Sequence, residues 1–560
     1  MMTDSLLTTS EGTNSPASRP RVAYFCMEYG LSEKFPIYSG GLGVLAGDYM
    51  KSAGDLGMPV VGIGLLWNNA THQKLDADGQ PVDEWREYPH DFLEDTHVRV
   101  RVRVRAREVE CRVWRVTGFA IAPLYLIEPV HKDDKWITER LYDTRPDCRV
   151  AQEMLLGIGG VRALSRLGLT IDVYHFNEGH AVFAGLELIA DRMSKHASFT
   201  EAWDWARKRI VFTTHTPVPA GNETHPLDEV RRLGAGLELV DNEVEAIGGN
   251  PFGMTVAGLR LARLSNAVAQ LHGETARKMW KDVSGASPII AITNGVHQAT
   301  WQAPEVAESR HDAGALWSVH EALKKRLFHR VDELTGVRLK PNALTIGFAR
   351  RAAGYKRADL ILSDPERIGR LLSAGTIQIL FSGKAHPADG IGKELVARLA
   401  HFARKWPASV VFLEDYDMAV ARHLVQGADI WLNNPQRPHE ASGTSGMKAA
   451  LNGVLNLSVL DGWWPEGCVH GETGWAIGGT DEGAERDAND APALYHILES
   501  EVIPAFADRA NWTRMMQASI RMAETHFTSH RMVREYYERL YEPAAEPMVE
   551  PDYQSEGVAG

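Results

Sequence analysis

Short apolar segments recur along the chain, and each is followed by glycine or by polar residues. Four to six apolar residues between such turn signals are typical of strands buried in a parallel sheet. Stretches with helical periodicity lie between many of them, among them 149–167 and 319–334. The predicted strands are Val22–Met27, Val60–Leu66, Val98–Val109, Arg209–Thr214, Pro288–Ile292, Leu344–Ala349, Ile377–Phe381, Val410–Leu413 and Ala428–Leu432.

The alternation of strands and helices occurs in two runs, which predicts two doubly wound Rossmann-like domains facing a cleft in an α/β fold. A chain of 560 residues is also too long for a single hydrophobic core. The segment Thr335–Asn342 contains Gly, Pro and Asn and is the predicted boundary. We therefore expect a first domain at 21–338, a second domain at 339–541, and disordered tails at 1–20 and 542–560.

The strand predicted at Val98–Val109 alternates valine with arginine over most of its length. One hypothesis is an anion-binding or nucleic-acid-binding ribbon, and the other is a half-exposed edge strand whose charges prevent further pairing. The formal net charge of the chain is -13. Because that balance disfavours nucleic acid and anionic membranes as partners, we favour the edge strand.

The four cysteines, Cys26, Cys111, Cys148 and Cys468, are far apart and include no CxxC pair. Together with the absence of a signal-like segment or a long apolar run, they predict a reduced, cytoplasmic protein without a membrane anchor. Four histidines lie at or after predicted strand ends, two of them in a strand end at 173–180 that runs into a helix. None stands in a metal-binding motif, so we predict no metal site. These histidines are His175, His180, His215 and His225.

Three segments carry groups that suit anions. A glycine-rich turn at Tyr38–Asp48 follows the first strand, and Arg350, Arg351 and Lys356 follow the strand that begins the second run. The third segment, 440–467, begins as a loop of small residues and continues as a helix on which Thr444 and Lys448 share one face. Two glycine-rich loops and clustered cations indicate two bound phosphates, whereas the alternative is an ordinary helix start beside a solvated basic face.

Eight motifs resemble, in order, those of the α-glucan phosphorylase family, which comprises the glycogen, starch and maltodextrin phosphorylases. They are YSGGLGVLAGDYMKSAGDLG, HFNEGHA, THTPVPAGN, TNGV, IGFARRAAGYKR, FSGKAHP, VFLEDYD and EASGTSGMKAALNGVLNLSVLDG. They cover the chain from about Val22 to about Tyr541, and the pattern is closest to a compact bacterial type.

This resemblance implies a GT-B fold and a glycosyltransferase that uses pyridoxal 5'-phosphate, inorganic phosphate and an α-1,4-glucan or maltooligosaccharide. It implies that Lys448 carries the cofactor and that Arg351, Lys356 and His215 act in catalysis. The implied cofactor contacts come from Gly443, Thr444, Ser445, Arg350 and Tyr416. The implied substrate contacts come from Gly40, Gly41, His215, Asn294, Glu440, Ala441, Ser442 and Gly443. A homodimer is the assembly that we consider.

Three departures from the family's pattern accompany the resemblance. Ser445 and Gly446 stand where larger phosphorylases have Gly-Asn, residues 352–354 are smaller than usual, and residues 68–71 replace a common Gly-Tyr pair. Two other functions therefore stay open: a nucleotide-sugar glucosyltransferase of the glycogen synthase kind, and a glucan-binding protein without activity. Lys448 argues against the first, because related transferases often have a second glutamate eight residues after the one matching Glu440.

Overall fold

The computed structural model describes residues 19–218, 221–479 and 483–545. The predicted tails fall mostly outside these ranges, although Glu542–Ala545 forms a last helical turn. No helix in the described ranges has both the length and the apolar character needed to span a membrane.

The strands and helices alternate through most of the described chain. The strands are β1 Val22–Phe25, β2 Val60–Leu65, β3 Asn69–Leu75, β4 Pro81–Glu87, β5 Leu93–Val104, β6 Arg107–Val116, β7 Leu124–Pro129, β8 Val173–Asn177, β9 Ile210–Thr213, β10 Thr224–His225, β11 Phe252–Gly253, β12 Leu264–Ala267, β13 Ile289–Ala291, β14 Leu344–Ala349, β15 Ile377–Ser382, β16 Val410–Leu413, β17 Ile430–Asn433, β18 Leu455–Val459 and β19 Gly474–Ile477.

The helices are α1 Gly41–Asp55, α2 Pro146–Met154, α3 Gly160–Arg166, α4 Phe183–Met193, α5 Phe199–Arg207, α6 Leu227–Leu233, α7 Asp241–Gly248, α8 Met254–Leu261, α9 Gln270–Met279, α10 Gln298–Trp301, α11 Pro304–Ser309, α12 Ala313–Thr335, α13 Pro365–Ser373, α14 Gly390–Lys405, α15 Met418–Gly427, α16 Thr444–Ala450, α17 Trp464–Gly467, α18 Ala484–Ile497, α19 Ile503–Ala507, α20 Arg509–His526, α21 Ser529–Tyr536 and α22 Glu542–Ala545. Single π-helical turns at Leu155–Gly159, Leu498–Val502 and Tyr537–Tyr541 join some of them.

Two large sheets, the first mixed and the second parallel, organise the described residues. The first has the order β13-β12-β9-β8-β1-β2-β7-β6-β5 and is parallel from β13 to β7. The second, parallel throughout, has the order β16-β15-β14-β17-β18-β19. Counted along its own strands, the second order is 3-2-1-4-5-6, that of the dinucleotide-binding doubly wound fold. The α/β class with parallel sheets is thus confirmed.

The arginine-rich segment lies at the edge of the first sheet, as favoured above. Its arginines pair with carboxylates: Arg99 with Asp95, for example, and Arg101 with Glu110 at 3.5 Å. The prediction of one continuous strand to Val109 was wrong, because β5 ends at Val104 and a two-residue turn leads into β6. Arg105 takes a φ of 59° in that turn, and no glycine or asparagine marks it in the sequence.

The chain crosses between the two sheets twice. Helix α12 packs into the core of the second sheet through Leu316 and Leu323, although it precedes the predicted boundary at 338/339. Helix α21 returns to the core of the first sheet through Met532 and Tyr536. The predicted division stays a prediction, but packing does not follow a single cut in the chain.

Candidate active site

The candidate site lies where the strand order of the second sheet changes direction, between β14 and β17. Open α/β sheets bind ligands beyond the carboxyl ends of the strands at such a point. The segment after β14 carries Arg350, Arg351 and Lys356, and the segment after β17 carries Glu440 and the loop that leads to α16. The topology therefore brings two of the predicted anion-binding segments together.

Glu440 is the centre of the cationic cluster. Its Oε2 lies 3.0 Å from Nη2 of Arg350 and accepts a hydrogen bond from Nζ of Lys356. Burial alone would raise the pKa of Glu440, but the charges of Arg350 and Lys356 outweigh it and hold that pKa below its usual value. A carboxylate thus neutralises two of the predicted phosphate-binding cations.

Asp461 holds the backbone of Glu440, and sequence reasoning did not identify it. Its side chain is fully buried, and it accepts hydrogen bonds from the backbone amides of Glu440, at 2.9 Å, and Gly462. Burial, with the nearby charge of Glu440, raises the pKa of Asp461 to about 7. Asp461 lies in the LSVLDG end of a recognised motif, which was its only signal in the sequence.

Lys448 lies one turn into α16, which begins after Gly443 in a left-handed conformation with φ of 83°. The lysine is buried, and its Nζ stands 3.8 Å from the centre of the Trp301 ring. Burial lowers the pKa of Lys448 to about 8, with Asp48 opposing the shift and Lys51 adding to it. Nothing in the sequence pattern had placed Asp48, Lys51 or Trp301 near the lysine.

The two unusual residues of this loop are both engaged. Ser445 Oγ accepts a hydrogen bond of 3.2 Å from Trp431, and Gly446 packs so closely that a Cβ there would lie 2.5 Å from Oδ1 of Asn456. Ser442 Oγ, by contrast, is buried without a hydrogen-bond partner in the described residues. A buried hydroxyl of this kind is costly unless a ligand completes its bonding.

The glycines of the first anion loop divide into two kinds. A Cβ at Gly47 would lie 2.1 Å from the carbonyl oxygen of Gly30, so this glycine serves packing, whereas Cβ atoms at Gly40 and Gly41 would meet nothing within 4 Å. The two open positions can therefore admit a ligand close to the backbone. The amide of Gly40, however, already donates a hydrogen bond to Glu28 Oε2 at 3.0 Å. The amide of Gly41 is therefore the better candidate to donate a hydrogen bond to a phosphate.

His215 follows β9 and is held in the neutral form, because burial lowers its pKa to about 3. Its Nε2 lies 2.7 Å from Oδ1 of Asn177, and its backbone amide donates to Glu178 Oε1 at 2.6 Å. Glu178 itself has a φ of 78°, a strained conformation that is common at functional sites. Glu178 thus positions the backbone at His215, whose imidazole is not an acid near neutral pH.

The other predicted residues follow the ends of strands in the two sheets. Asn294 follows β13 and has a buried Oδ1 without a partner in the described chain. Tyr416 donates a long hydrogen bond of 3.4 Å to the carbonyl of Ala349. Ala441 and Thr444 are partly exposed on the loop to α16, and Arg351 is exposed.

Two of the four histidines considered as metal ligands make hydrogen bonds away from the Glu440 cluster. His175 lies between Tyr541 and Thr213, and His225 contacts Glu153 at 2.8 Å. They do not converge with His180 or His215 on a common point among the described residues.

Comparison with known proteins connects this geometry to a family. A family profile described as carbohydrate phosphorylase matches residues 266–466. A maltodextrin phosphorylase from Thermococcus litoralis is 40% identical to this chain over 95% of its length and 72% of the relative. The chain belongs to the carbohydrate phosphorylase family.

Other members of that family extend the match. A glycogen phosphorylase from Mycobacterium tuberculosis is 37% identical over 96% of the chain and 72% of the relative. A glycogen phosphorylase from Aquifex aeolicus is 35% identical over 93% of the chain and 86% of the relative. These findings confirm the family resemblance read from the eight motifs. The profile match includes Asn294, the cationic segment and Lys448, while Gly40 and His215 lie before it.

Proposed function

We propose that this protein is an α-1,4-glucan phosphorylase. It transfers the terminal glucosyl unit of a glucan to inorganic phosphate with retention of configuration and releases α-glucose 1-phosphate. Relatives named maltodextrin phosphorylase and glycogen phosphorylase support the reaction class, since they share 35–40% of their residues with nearly the whole chain. The observation that carries the proposal is the buried Lys448 on the helix that follows the Glu440 loop, since Glu440 itself pairs with Arg350 and Lys356 at the ends of β14 and β17.

The proposal includes a GT-B architecture in which the two sheets face each other across the cleft. Both strand orders and the two chain crossovers support it. We assign residues 21–296 and 529–541 to the first domain and 297–528 to the second, because packing follows these limits better than a cut at 338/339.

The residues around Lys448 fit pyridoxal 5'-phosphate. Lys448 has no hydrogen bond or ion pair from its amine among the described residues, and its lowered pKa favours the neutral amine that an aldehyde needs. Gly443, Thr444, Ser445 and Arg350 would hold the cofactor's phosphate at the start of α16, and Tyr416 would pack beside the ring. When bound, the cofactor supplies a phosphate group that can pass a proton during glucosyl transfer.

The substrate phosphate would be held by Arg351, Lys356 and the backbone at Gly40 and Gly41. Its charge would replace the Glu440 carboxylate as the partner of Lys356, since both are anions that seek the same donor. Glu440 would then be free to accept hydrogen bonds from the sugar hydroxyls. The ion pairs with Glu440 thus hold Arg350 and Lys356 in position for these contacts.

The glucosyl unit would contact Glu440, Asn294, the segment Ala441–Gly443 and the backbone of His215. Asn294 Oδ1 and Ser442 Oγ are both buried without a hydrogen-bond partner in the described residues, which supports this position. In the reaction the bond from C1 to the glucan oxygen breaks, a bond from C1 to a phosphate oxygen forms, and the departing oxygen takes a proton. Asn177 and Glu178 hold the neutral His215, whose backbone carbonyl would lie beside C1.

The first test removes the lysine. Lys448→Ala should abolish the near-ultraviolet absorbance of the bound cofactor and the release of glucose 1-phosphate from maltoheptaose and phosphate. Lys325→Ala, which changes an exposed lysine on α12, should leave both unchanged. Full phosphorolysis by Lys448→Ala would overturn the proposal.

Arg351→Ala should chiefly raise the phosphate concentration needed for half-maximal rate, by about tenfold or more, because it removes charge-assisted hydrogen bonds. Glucan extension from ADP-glucose without phosphorolysis would instead favour the nucleotide-sugar transferase. A purified protein that binds glucan, lacks cofactor absorbance and has no activity would favour the non-catalytic alternative.

The remaining assignments belong to the same proposal. The four described cysteines form no disulfide, which supports a reducing, cytoplasmic setting. We propose glucan and phosphate as the partners, without nucleic acid or membrane, and retain the homodimer as an expectation.

A further inference from the structure

Three donors outside the active site converge on one point. Nε2 of His297 lies 2.8 Å from Oδ2 of Asp55, and Nε2 of His530 lies 3.0 Å from the same oxygen. The ligand atoms of all three residues lie within 4.8 Å of one another. Asp55 ends α1, His297 precedes α10 and His530 is in the first turn of α21, so distant parts of the chain meet here.

This point lies beside the two crossovers between the sheets. Val296 and Thr528 form an isolated parallel bridge, in which the amide of Val296 donates to Phe527 and the amide of Ser529 donates to Val296, both at 2.9 Å. A Cβ at Gly295 would lie 2.2 Å from the carbonyl oxygen of Thr528, so the two crossovers are in close contact. His297 and His530 each follow directly after this contact.

Two imidazoles and one carboxylate form a donor set that suits Zn²⁺ and similar divalent transition metals. Thr300 Oγ1 lies 2.7 Å from Nδ1 of His297 and orients that ring, in the way that outer groups orient metal-binding histidines. His297 is 9% exposed, whereas Asp55 and His530 are 35% and 37% exposed. One side of the cluster is therefore anchored in the protein, and the other is open to an ion and to a water ligand.

A second cluster of three possible metal ligands differs, because an arginine of the chain lies against its carboxylates. Glu153, Glu223 and His225 also bring three donors together. There the guanidinium of Arg149 lies 2.7 Å from Glu223 and 3.4 Å from Glu153, so a cation of the chain already neutralises the carboxylates. Around Asp55 no lysine or arginine of the described residues takes that place.

We propose that Asp55, His297 and His530 bind a divalent transition metal ion, with Zn²⁺ as the best fit, beside the two crossovers between the sheets. A tetrahedral ion with bonds of about 2.0–2.2 Å needs only small side-chain rotations to reach the three donors, and water completes the coordination. The ion joins the end of α1 to both crossovers and so stiffens the connection between the domains.

The test measures metal binding by the full chain after dialysis against a chelator. Titration calorimetry with Zn²⁺ should show one saturable site that accounts for the tightest binding, and Co²⁺ should give the visible absorption of a low-coordinate nitrogen–oxygen site. Zn²⁺ should also raise the thermal unfolding midpoint, because it binds the folded protein preferentially.

His530→Ala and Asp55→Asn should each weaken this binding by about 100-fold or more and abolish the Co²⁺ spectrum. His329→Ala, which removes an exposed histidine of α12, is the matched control and should change neither. The partly exposed positions are chosen because loss of the buried His297 could impair folding, and unfolding of the metal-free variants checks that they fold. Binding of equal strength in wild type and His530→Ala, or no saturable binding, would overturn the proposal. Phosphorolysis is not a readout, so this proposal and the proposed function fail independently.

Discussion

The charge state of a single amine, that of Lys448, decides whether the candidate site can receive the proposed cofactor. An ordinary lysine with a pKa near 10.5 is neutral in fewer than about one molecule in a thousand at pH 7. Burial lowers the pKa of Lys448 to about 8, which raises that fraction to about one in ten. The negative charge of Asp48 limits the shift, since it stabilises the protonated form.

Recombination of the apoprotein with pyridoxal 5'-phosphate should therefore become faster as pH rises and level off above a midpoint near 8. Asp48→Asn keeps the size of the side chain but removes its charge, so the pKa of Lys448 should fall further and the midpoint should move to lower pH. The rate is followed by the absorbance of the bound cofactor at a series of pH values. Asp282→Asn, at an exposed position, is the control. A midpoint above 9, or one that Asp48→Asn leaves in place, would contradict this assignment.

At this scale the sequence predicted the residues that belong to recognisable motifs, such as Lys448 and Glu440. It did not predict those that act through the fold. Asp48 and Trp301 lie near Lys448 but belong to segments far away in the chain. Asp461 holds the Glu440 loop because it accepts a hydrogen bond from the backbone amide of Glu440. Such contacts have no local pattern, since they depend on how the elements pack.

Among the elements, the buried parallel strands were the most predictable. The bounds of β14 and β16 agree with the sequence prediction, because a continuous apolar run ends sharply at polar residues. The hairpin β3–β4 and the short strands β18 and β19 were not predicted. Hairpin β3–β4 is polar on both faces, and its burial comes from contacts with other parts of the chain.

The edge strand β5 provides a prediction about association. Arg101 and Arg103 are exposed on it, and β5 pairs on only one side, with β6. Replacing both arginines with valine should leave the fold intact but increase self-association, because it removes the charges that discourage edge-to-edge pairing. Light scattering over a range of concentrations measures this. The double replacement by lysine keeps the charge and should behave like wild type; equal scattering by the valine and lysine variants would show that charge at this edge does not limit association.

For the whole molecule, the sequence did not predict how the chain passes between the two sheets. A single boundary was predicted from turn residues, whereas the chain crosses twice, and the second crossover at 527–529 has no unusual composition. Helix α21 packs its apolar face into the first core. The same apolar face could equally be buried in the second core, so the sequence of the helix does not specify which core it joins. Only the packed structure distinguishes the two.

The hairpin β3–β4 also connects the sheets, by reaching from the first toward the segments after β15 and β16. His72 contacts Asp415 at 2.7 Å, and Gln73 exchanges hydrogen bonds with the backbone of Ala385 at 2.9 and 3.1 Å. Asp83 accepts from Gln73 at 2.7 Å and from Lys393 at 2.6 Å. Because Asp83 holds both the hairpin's own glutamine and a lysine of the opposite side, it is the residue through which this contact can be weakened most directly.

Asp83→Ala should loosen the contact without unfolding either core. The loss of charge-assisted hydrogen bonds to a partly exposed lysine is worth on the order of 1 kcal/mol, which corresponds to about fivefold faster local opening. Hydrogen exchange should therefore speed up in residues 69–87 and 383–393 and stay unchanged in β1 and β14. Glu84→Ala is the matched control, because Glu84 pairs with Arg86 inside the same hairpin. Equal exchange in the two variants would mean that Asp83 does not hold the sheets together, and faster exchange throughout the chain would mean that it stabilises the fold as a whole.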